Sequence, residues 1–310
     1  MAGDDRKMRP DRALAHALTA ATLAVWTSAA LAGGAPAPER PTWRELHFRA
    51  RKFIFTADTT VKVELAPAEA AARALAAASG HTPVMPACGQ VARIELDTTG
   101  LGRHTRNTVW IEPTTATALQ TSSQELGNRA RYKTQRFTDL GVAVARYAPA
   151  RGEEDRPADR WTLHSDSFVP FPEADRGGVV VSDSVALFWI LATRPLAKPG
   201  DSTQVLVMSR DQLLLVEIAV AATRSIRLDI DERTASGSRH VRESVEGLEL
   251  TVSGSRFGPD KAESDLEFLG FTGKVRILLD PARRVPVEIS GRVPKAGTVT
   301  VRLHDATLLP

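Results

Sequence analysis

The 310-residue chain contains one cysteine, Cys88. An internal disulfide is therefore excluded, as is any metal site with paired-Cys spacing, and stability must come from an ordinary hydrophobic core. Cys88 lies in the turn-like stretch Pro86-Ala87-Cys88-Gly89 and is either an inert side chain or a reactive thiol open to intermolecular pairing. Excess charge is also missing. Forty basic residues oppose 37 acidic ones, and only eight of the forty are lysine. A near-neutral chain with scattered arginines lacks the concentrated basic face that nucleic acid requires, so no nucleic-acid partner is expected. Aromatic residues make up only 5% of the chain, so their positions are informative.

Catalytic and cofactor motifs are missing as well. No Gly-x-Ser-x-Gly elbow is present, since Ser253-Gly254-Ser255 lacks its flanks. Gly273-Lys274 lacks the upstream Gly and the following Ser or Thr of a phosphate-binding loop. No His-Glu-x-x-His occurs, and His47, His81, His104, His164, His240 and His304 are widely spread. Asp229, Asp231 and Glu232 form an acidic cluster in which alternation puts the two Asp on one strand face. A hard cation would suit them, but the spacing and Gly of a Ca²⁺ loop are absent, and a solvated face beside Arg227 and Arg233 is the simpler reading. These absences leave an enzyme as the least supported class, and no cofactor is expected.

One long apolar run is present. Arg6, Lys7, Arg9 and Arg12 precede a charge-free stretch from Ala13 to Ala32 that closes in Ala30-Leu31-Ala32. A basic start, an apolar stretch and a small-x-small end make a cleavable secretory signal over residues 1–32. Residues 33–42 then read as a flexible linker and 43–310 as a single domain. The competing reading is an N-terminal membrane anchor, for which about 20 apolar residues would just suffice. No Cys follows the run, so lipid attachment there is not expected, and the mature protein is expected to be periplasmic.

Beyond residue 42 the dominant signal is alternation. In Phe53–Leu65 the apolar side chains fall on odd positions and the polar ones on even positions, which predicts a long strand with one buried face. Ala-rich Pro67–Ser79 predicts a short helix closed by Gly80. Strands follow over Val91–Asp97, Asn107–Glu112, Ala116–Gln124, Arg129–Thr138, Val142–Ala148 and Trp161–Phe168. Pro149–Asp159 reads as an exposed loop. Ser182-Asp183-Ser184 would cap a buried apolar helix over Val185–Leu191 that ends before Pro195. Strands resume over Gln204–Met208, Leu213–Ala221, Ser225–Asp231, Val241–Glu243, Leu248–Ser253, Gly273–Leu279, Val285–Gly291 and Thr298–His304. The predicted architecture is mainly β: a single large antiparallel curved sheet or half-barrel, with one or two short helices, one of them plugging it.

The aromatic set carries the functional signal. Phe53, Phe55, Trp110, Phe137, Phe188 and Trp189 all lie in apolar segments. They are core packing or, on a concave sheet face, the lining of a site for a lipid-like, apolar ligand. Arg131, Lys133 and Arg136, on the strand carrying Phe137, would then meet an anionic head group at the rim or else form a solvated outer face. The alternative is a structural or interaction protein with a filled core, acting through surface loops on an envelope protein partner.

Two segments resemble the family of exported bacterial proteins known as domain of unknown function 3108. One is Asp183-Ser184-Val185-Ala186-Leu187 with Arg194-Pro195-Leu196-Ala197-Lys198-Pro199-Gly200-Asp201. The other is the closing hairpin, from Ile277-Leu278-Leu279-Asp280 through Arg284-Val285-Pro286-Val287-Glu288-Ile289 to Gly297-Thr298-Val299-Thr300-Val301. The resemblance implies a half-open or closed antiparallel barrel, similar to periplasmic lipoprotein-localisation carriers that cradle acyl chains around a helix plug. It implies no catalytic residues. Pro67–Ser79 and Pro149–Asp159 depart from the family pattern.

Overall fold

A computed structural model describes residues 39–52, 55–78, 80–100, 102–127, 130–209, 211–258 and 266–310. The expected signal peptide, most of the linker, and Phe53 lie outside the described residues. The domain itself belongs to one compact unit, Pro36–Pro310.

The first half is a meander. β1 (Trp43–Lys52), β2 (Phe55–Pro67) and the five-residue helix α1 (Ala68–Ala72) precede β3 (Gln90–Gly100) and β4 (Arg103–Ile111). β5 (Ala118–Leu126), β6 (Arg131–Phe137), β7 (Gly141–Ala148) and β8 (Thr162–Pro170) complete it. A two-residue β9 (Val181–Ser182) then leads into α2 (Leu187–Thr193). The second half contains β10 (Ser202–Ser209), β11 (Gln212–Thr234), β12 (Gly237–Arg256) and the short β13 (Glu267–Phe268). β14 (Phe271–Asp280), β15 (Val285–Val293) and β16 (Gly297–Leu308) end the chain.

All of these strands join one sheet, ordered β8-β7-β6-β5-β4-β3-β2-β1-β16-β15-β14-β12-β11-β10-β9, with β13 pairing β14. β1 and β16 pair antiparallel and weld the two halves together. A short parallel pairing of Asp231–Arg233 with Asp305–Thr307 adds a second contact between β11 and β16. β8 and β9 stand at the two ends of the order, so the sheet curls as a whole without closing into one barrel. This is the expected mainly-β curved sheet with two short helices. No helix among the described residues is long and apolar enough to cross a membrane.

The sequence explains most of the strand faces. On β2, Thr59, Val61 and Val63 are buried between exposed Lys62 and Glu64, as alternation predicts. On β11, Ile226, Leu228 and Ile230 are buried and their neighbours exposed. Four predicted strands are in fact two. β11 runs unbroken through residues 222–224, and β12 runs unbroken through 244–247. The polar stretch ending in Gly247 looks like a turn, yet Gly247 serves close packing: a Cβ there would stand 1.9 Å from Ile226 Cδ1. Around residue 221 a bulge between Val220 and Ala222 absorbs the irregularity without ending the strand. The hairpin tip expected over Thr98–Arg106 is likewise mostly strand, since β3 and β4 pair out to Gly100 and Arg103.

α1 is much shorter than Pro67–Ser79. Its Ala-rich segment offers one buried side chain, Ala71, and too little apolar surface to hold further turns. α2 is the expected buried apolar helix, but it starts two residues later than expected and its N-cap, Ala186, makes no side-chain cap bond, because Asp183 instead closes the turn before it. Asp183 Oδ1 accepts the Val185 N–H at 2.8 Å, and Leu187 through Ala192 are all buried. A helix apolar all round belongs inside a core, and burying each large side chain contributes about 1.5–3 kcal/mol. Its C-terminal carbonyls are closed by Arg284, which donates to Ala192 O at 3.0 Å, Leu196 O at 3.1 Å and Arg194 O. Trp189 Nε1 reaches Pro113 O at 3.1 Å and Ser182 Oγ reaches Ala116 O at 2.6 Å, tying the plug to the β4–β5 connection.

Candidate functional site

The six aromatic candidates occupy different environments. Phe188 is fully buried, with its ring 5.9 Å from Phe48 and 5.5 Å from Phe268, so it is core. Trp110 lies on the opposite sheet face from Val109 and Ile111. It packs with Ala71, Val91 and Leu119 near α1, and the Arg93 guanidinium stands 5.6 Å over its ring. Phe55 belongs to β2, and Phe53 is outside the described residues. Phe137 and Trp189 each form part of a cavity wall, and the two cavities are separate.

The larger cavity is a cleft of about 560 Å³ beside the end of β6. Its apolar wall comprises Val84, Ala118, Phe137, Phe171, Ala174, Val179, Val180 and Val181; Thr117, Thr138, Asp139, Asp175 and Arg176 bring polar groups. Strand geometry fixes one side. Phe137 ends β6 with its carbonyl accepting the Val84 N–H at 2.9 Å, which brings the 82–86 loop over the strand. Thr138 Oγ1 donates to Gly141 O at 2.9 Å and closes the β6–β7 turn behind it.

The other side is residues 171–180, which contain no helix or strand. Phe171 N–H donates to Leu140 O at 2.8 Å at one end, and Val180 O accepts the Leu206 N–H at 2.9 Å at the other. Between these anchors Gly177 and Gly178 adopt φ of 56° and 77°, a conformation that glycine reaches without strain. Arg176 lies over the Phe171 ring at 5.4 Å and folds the loop onto its own apolar anchor. No local periodicity marks this wall, because Pro170, Pro172 and the Gly pair break any helix or strand pattern. The Val179-Val180-Val181 run was the available signal.

Strand alternation sets Arg136 apart from the other two basic candidates on β6, and Arg131 and Lys133 differ by their depth on one face. Arg131 is exposed and pairs with Glu125. Arg136 is buried and donates to Leu119 O, and to Val84 O at 2.9 Å, so it is structural. Lys133 shares the face of Phe137 and Gln135, where burial holds its ammonium below the usual lysine range. Asp183, at the seam between β9 and α2, responds in the opposite direction: desolvation raises its carboxyl to about 6, with the Val185 N–H and Lys133 opposing. Glu112 accepts from Cys88 Sγ at 2.9 Å and raises the thiol above its ordinary value, which disfavours the reactive thiolate.

The ionisable clusters read as surface chemistry. Asp229 and Asp231 share His240, at 3.0 and 2.8 Å, and Asp229 also meets Arg242 at 3.3 Å, so the acidic pair is neutralised across the β11–β12 ribbon. His47 sits between Glu45 at 2.6 Å and Thr60 at 3.2 Å on the outer face of β1. Asp305 lies 3.8 Å from His47 and 3.5 Å from His304. His104 pairs with Asp97 at 2.8 Å, and His81 stacks on Phe168 at 3.6 Å. Among the described residues no group of His, Cys, Asp and Glu is arranged to hold a metal ion. No family model, curated protein or solved structure matches the chain.

Proposed function

We propose that the protein is exported to the periplasm and binds a lipid-like, apolar ligand in the cleft between the end of β6 and the 171–180 loop. The observation that carries this reading is the cleft itself: about 560 Å³, a volume typical of small-molecule sites, with eight apolar wall residues, Ala174 among them, and a few polar ones. The basic, apolar and small-residue order of positions 1–32 supports export. Membership of the domain of unknown function 3108 family is part of the same proposal and rests on the α2 segment and the closing hairpin.

The test is extraction of the native protein with organic solvent followed by mass spectrometry, paired with Ala174→Trp to fill the cleft. A lipid recovered from the wild type and lost from a folded Ala174→Trp variant is the expected result. An empty extract, together with no binding of a fluorescent apolar probe, would overturn it.

The second reading is an interaction protein that works through its surface. The burial of Phe48, Phe188, Phe268 and Phe271 favours it, because the space around Phe188 of α2 is filled. In-cell crosslinking that recovers one stoichiometric envelope partner, from a protein whose extract is empty, would select this reading.

A further inference from the structure

The second cavity, of about 400 Å³, is formed where the chain enters β1 and lies against Trp189 of α2. Its floor is two indoles, Trp43 and Trp189, exposed by 0% and 1%. The Trp189 N–H is satisfied by Pro113 O, whereas the Trp43 Nε1–H is buried with no hydrogen-bond partner among the described residues. The unpartnered N–H makes the Trp43 indole a reporter of what lies above it. Two more observations lie at the same place. Leu65 and Leu309, exposed by 38% and 41%, line this cavity, an unusual position for large apolar side chains in a well-filled domain. Arg40 and Arg44 flank it, both are exposed, and neither forms an ion pair among the described residues. The one carboxylate in the wall, Glu64, is engaged by Arg93 at 3.4 Å.

We infer that this pocket is a second binding site, for a small anionic amphiphile. Its acidic oxygens would be held by Arg40 and Arg44, and its apolar tail would lie against Leu65 and Leu309, above the buried Trp43 and Trp189 rings. The chemistry is complementary group by group. Charge-assisted hydrogen bonds from guanidinium groups are strongest with a carboxylate or phosphate, and the two part-exposed leucines offer an apolar surface beside them. A neutral lipid would leave both arginines unused, and a free inorganic anion would leave the leucines unused. The inference stands independently of the Phe137–Phe171 cleft, with which this pocket shares no residue.

The test uses the mature chain labelled with ¹⁵N and titrated with dodecanoate, with acetate as head group alone and dodecanol as tail alone. The Trp43 indole N–H resonance is assigned by its disappearance in Trp43→Phe. Dodecanoate is expected to shift that resonance in a saturable manner, acetate to leave it unmoved, and dodecanol to bind at least tenfold more weakly. Arg40→Ala/Arg44→Ala alters only exposed side chains, so its spectrum stays native while the dodecanoate Kd rises at least tenfold. Ala174→Trp, which fills the other cleft, leaves this titration unchanged. A Trp43 resonance that ignores dodecanoate overturns the inference, as does an affinity indifferent to the two arginines. If dodecanoate binds but is displaced only by Ala174→Trp, this pocket fails while the first cleft stands.

Discussion

The two cavities are built from opposite materials. The Trp43–Trp189 pocket is walled mainly by β1, β2 and α2, elements locked by ladder hydrogen bonds and by the three carbonyls that Arg284 closes, with Arg40, Pro41 and Leu309 added from the chain just outside β1 and β16. The Phe137–Phe171 cleft has one wall of that kind and one wall of loop, anchored at its ends and carrying two left-handed glycines. A rigid wall with fixed donors selects by chemistry, because its groups cannot move to suit a poor ligand. A wall of irregular chain with mostly aliphatic side chains selects by size and apolarity and tolerates variation. One fold therefore offers a pocket framed mainly by regular elements and a cleft framed in part by irregular chain.

The largest expected effect separates the two directly. Trp189→Ala removes a fully buried indole from α2 and should cost about 3–5 kcal/mol of stability, read by urea unfolding. It should also destroy the floor of the Trp43 pocket. Apolar-probe binding in the Phe137–Phe171 cleft should persist in the folded fraction, because Trp189 does not line that cleft. Loss of both activities at temperatures where the variant remains folded would show that the cavities are one coupled system.

Asp183 stands at the seam between the cleft wall and the plug, and its effect should be smaller. Its carboxyl is raised to about 6 in the folded chain, from an ordinary value of 3.8. Below about pH 4 both folded and unfolded chains hold the proton, and the group is neutral toward stability. As pH rises from about 4 to 6 the unfolded chain releases it first, so the folded state loses stability across that window and the penalty then stays constant. Asp183→Asn keeps the acceptor for the Val185 N–H and should flatten that slope, stabilising the protein at pH 7 by about 1–2 kcal/mol. Thermal unfolding followed from pH 4 to pH 8 checks it; an unchanged slope would assign the titration to another group.

The contrast between the cavities also explains what could be read from the chain beforehand. Alternation on β2 and the apolar run of α2 are local signals, and both place their elements to within two residues, though the expected side-chain cap of α2 is absent. β1 carries a strong pattern too, in Leu46, Phe48 and Ala50, but a bulge between Trp43 and Glu45 puts the buried Trp43 out of phase with it. A bulge changes which face a residue takes without changing composition, so the key indole of the second pocket was invisible. Phe137 and Trp189 were singled out as aromatics in apolar segments, which says nothing about which partners complete a wall. Those partners come from far along the chain: Val84, Phe171 and Val180 for one cavity, Arg40, Leu65 and Leu309 for the other. Long-range pairing through a sixteen-stranded sheet decides that, and no local periodicity records it.

The smallest effect probes the loop wall alone. The Arg176 guanidinium lies 5.4 Å over Phe171, and the Arg176 carbonyl accepts the Val179 N–H at 2.8 Å. The side-chain contact is exposed to solvent, so it should contribute about 0.5–1 kcal/mol to holding the loop closed. Arg176→Ala leaves the backbone hydrogen bond in place and removes only the cation over the ring. Global stability should change little, while the Val179 amide should exchange with deuterium about two- to fivefold faster, the rate equivalent of that energy for a local opening. A Lys at this position should recover part of the protection, since an ammonium can also stand over the ring, though without the stacked planar contact. If the Val179 amide exchanges at the wild-type rate in Arg176→Ala, the loop is held by its end anchors and its apolar contacts, and the cleft is as rigid as the pocket opposite.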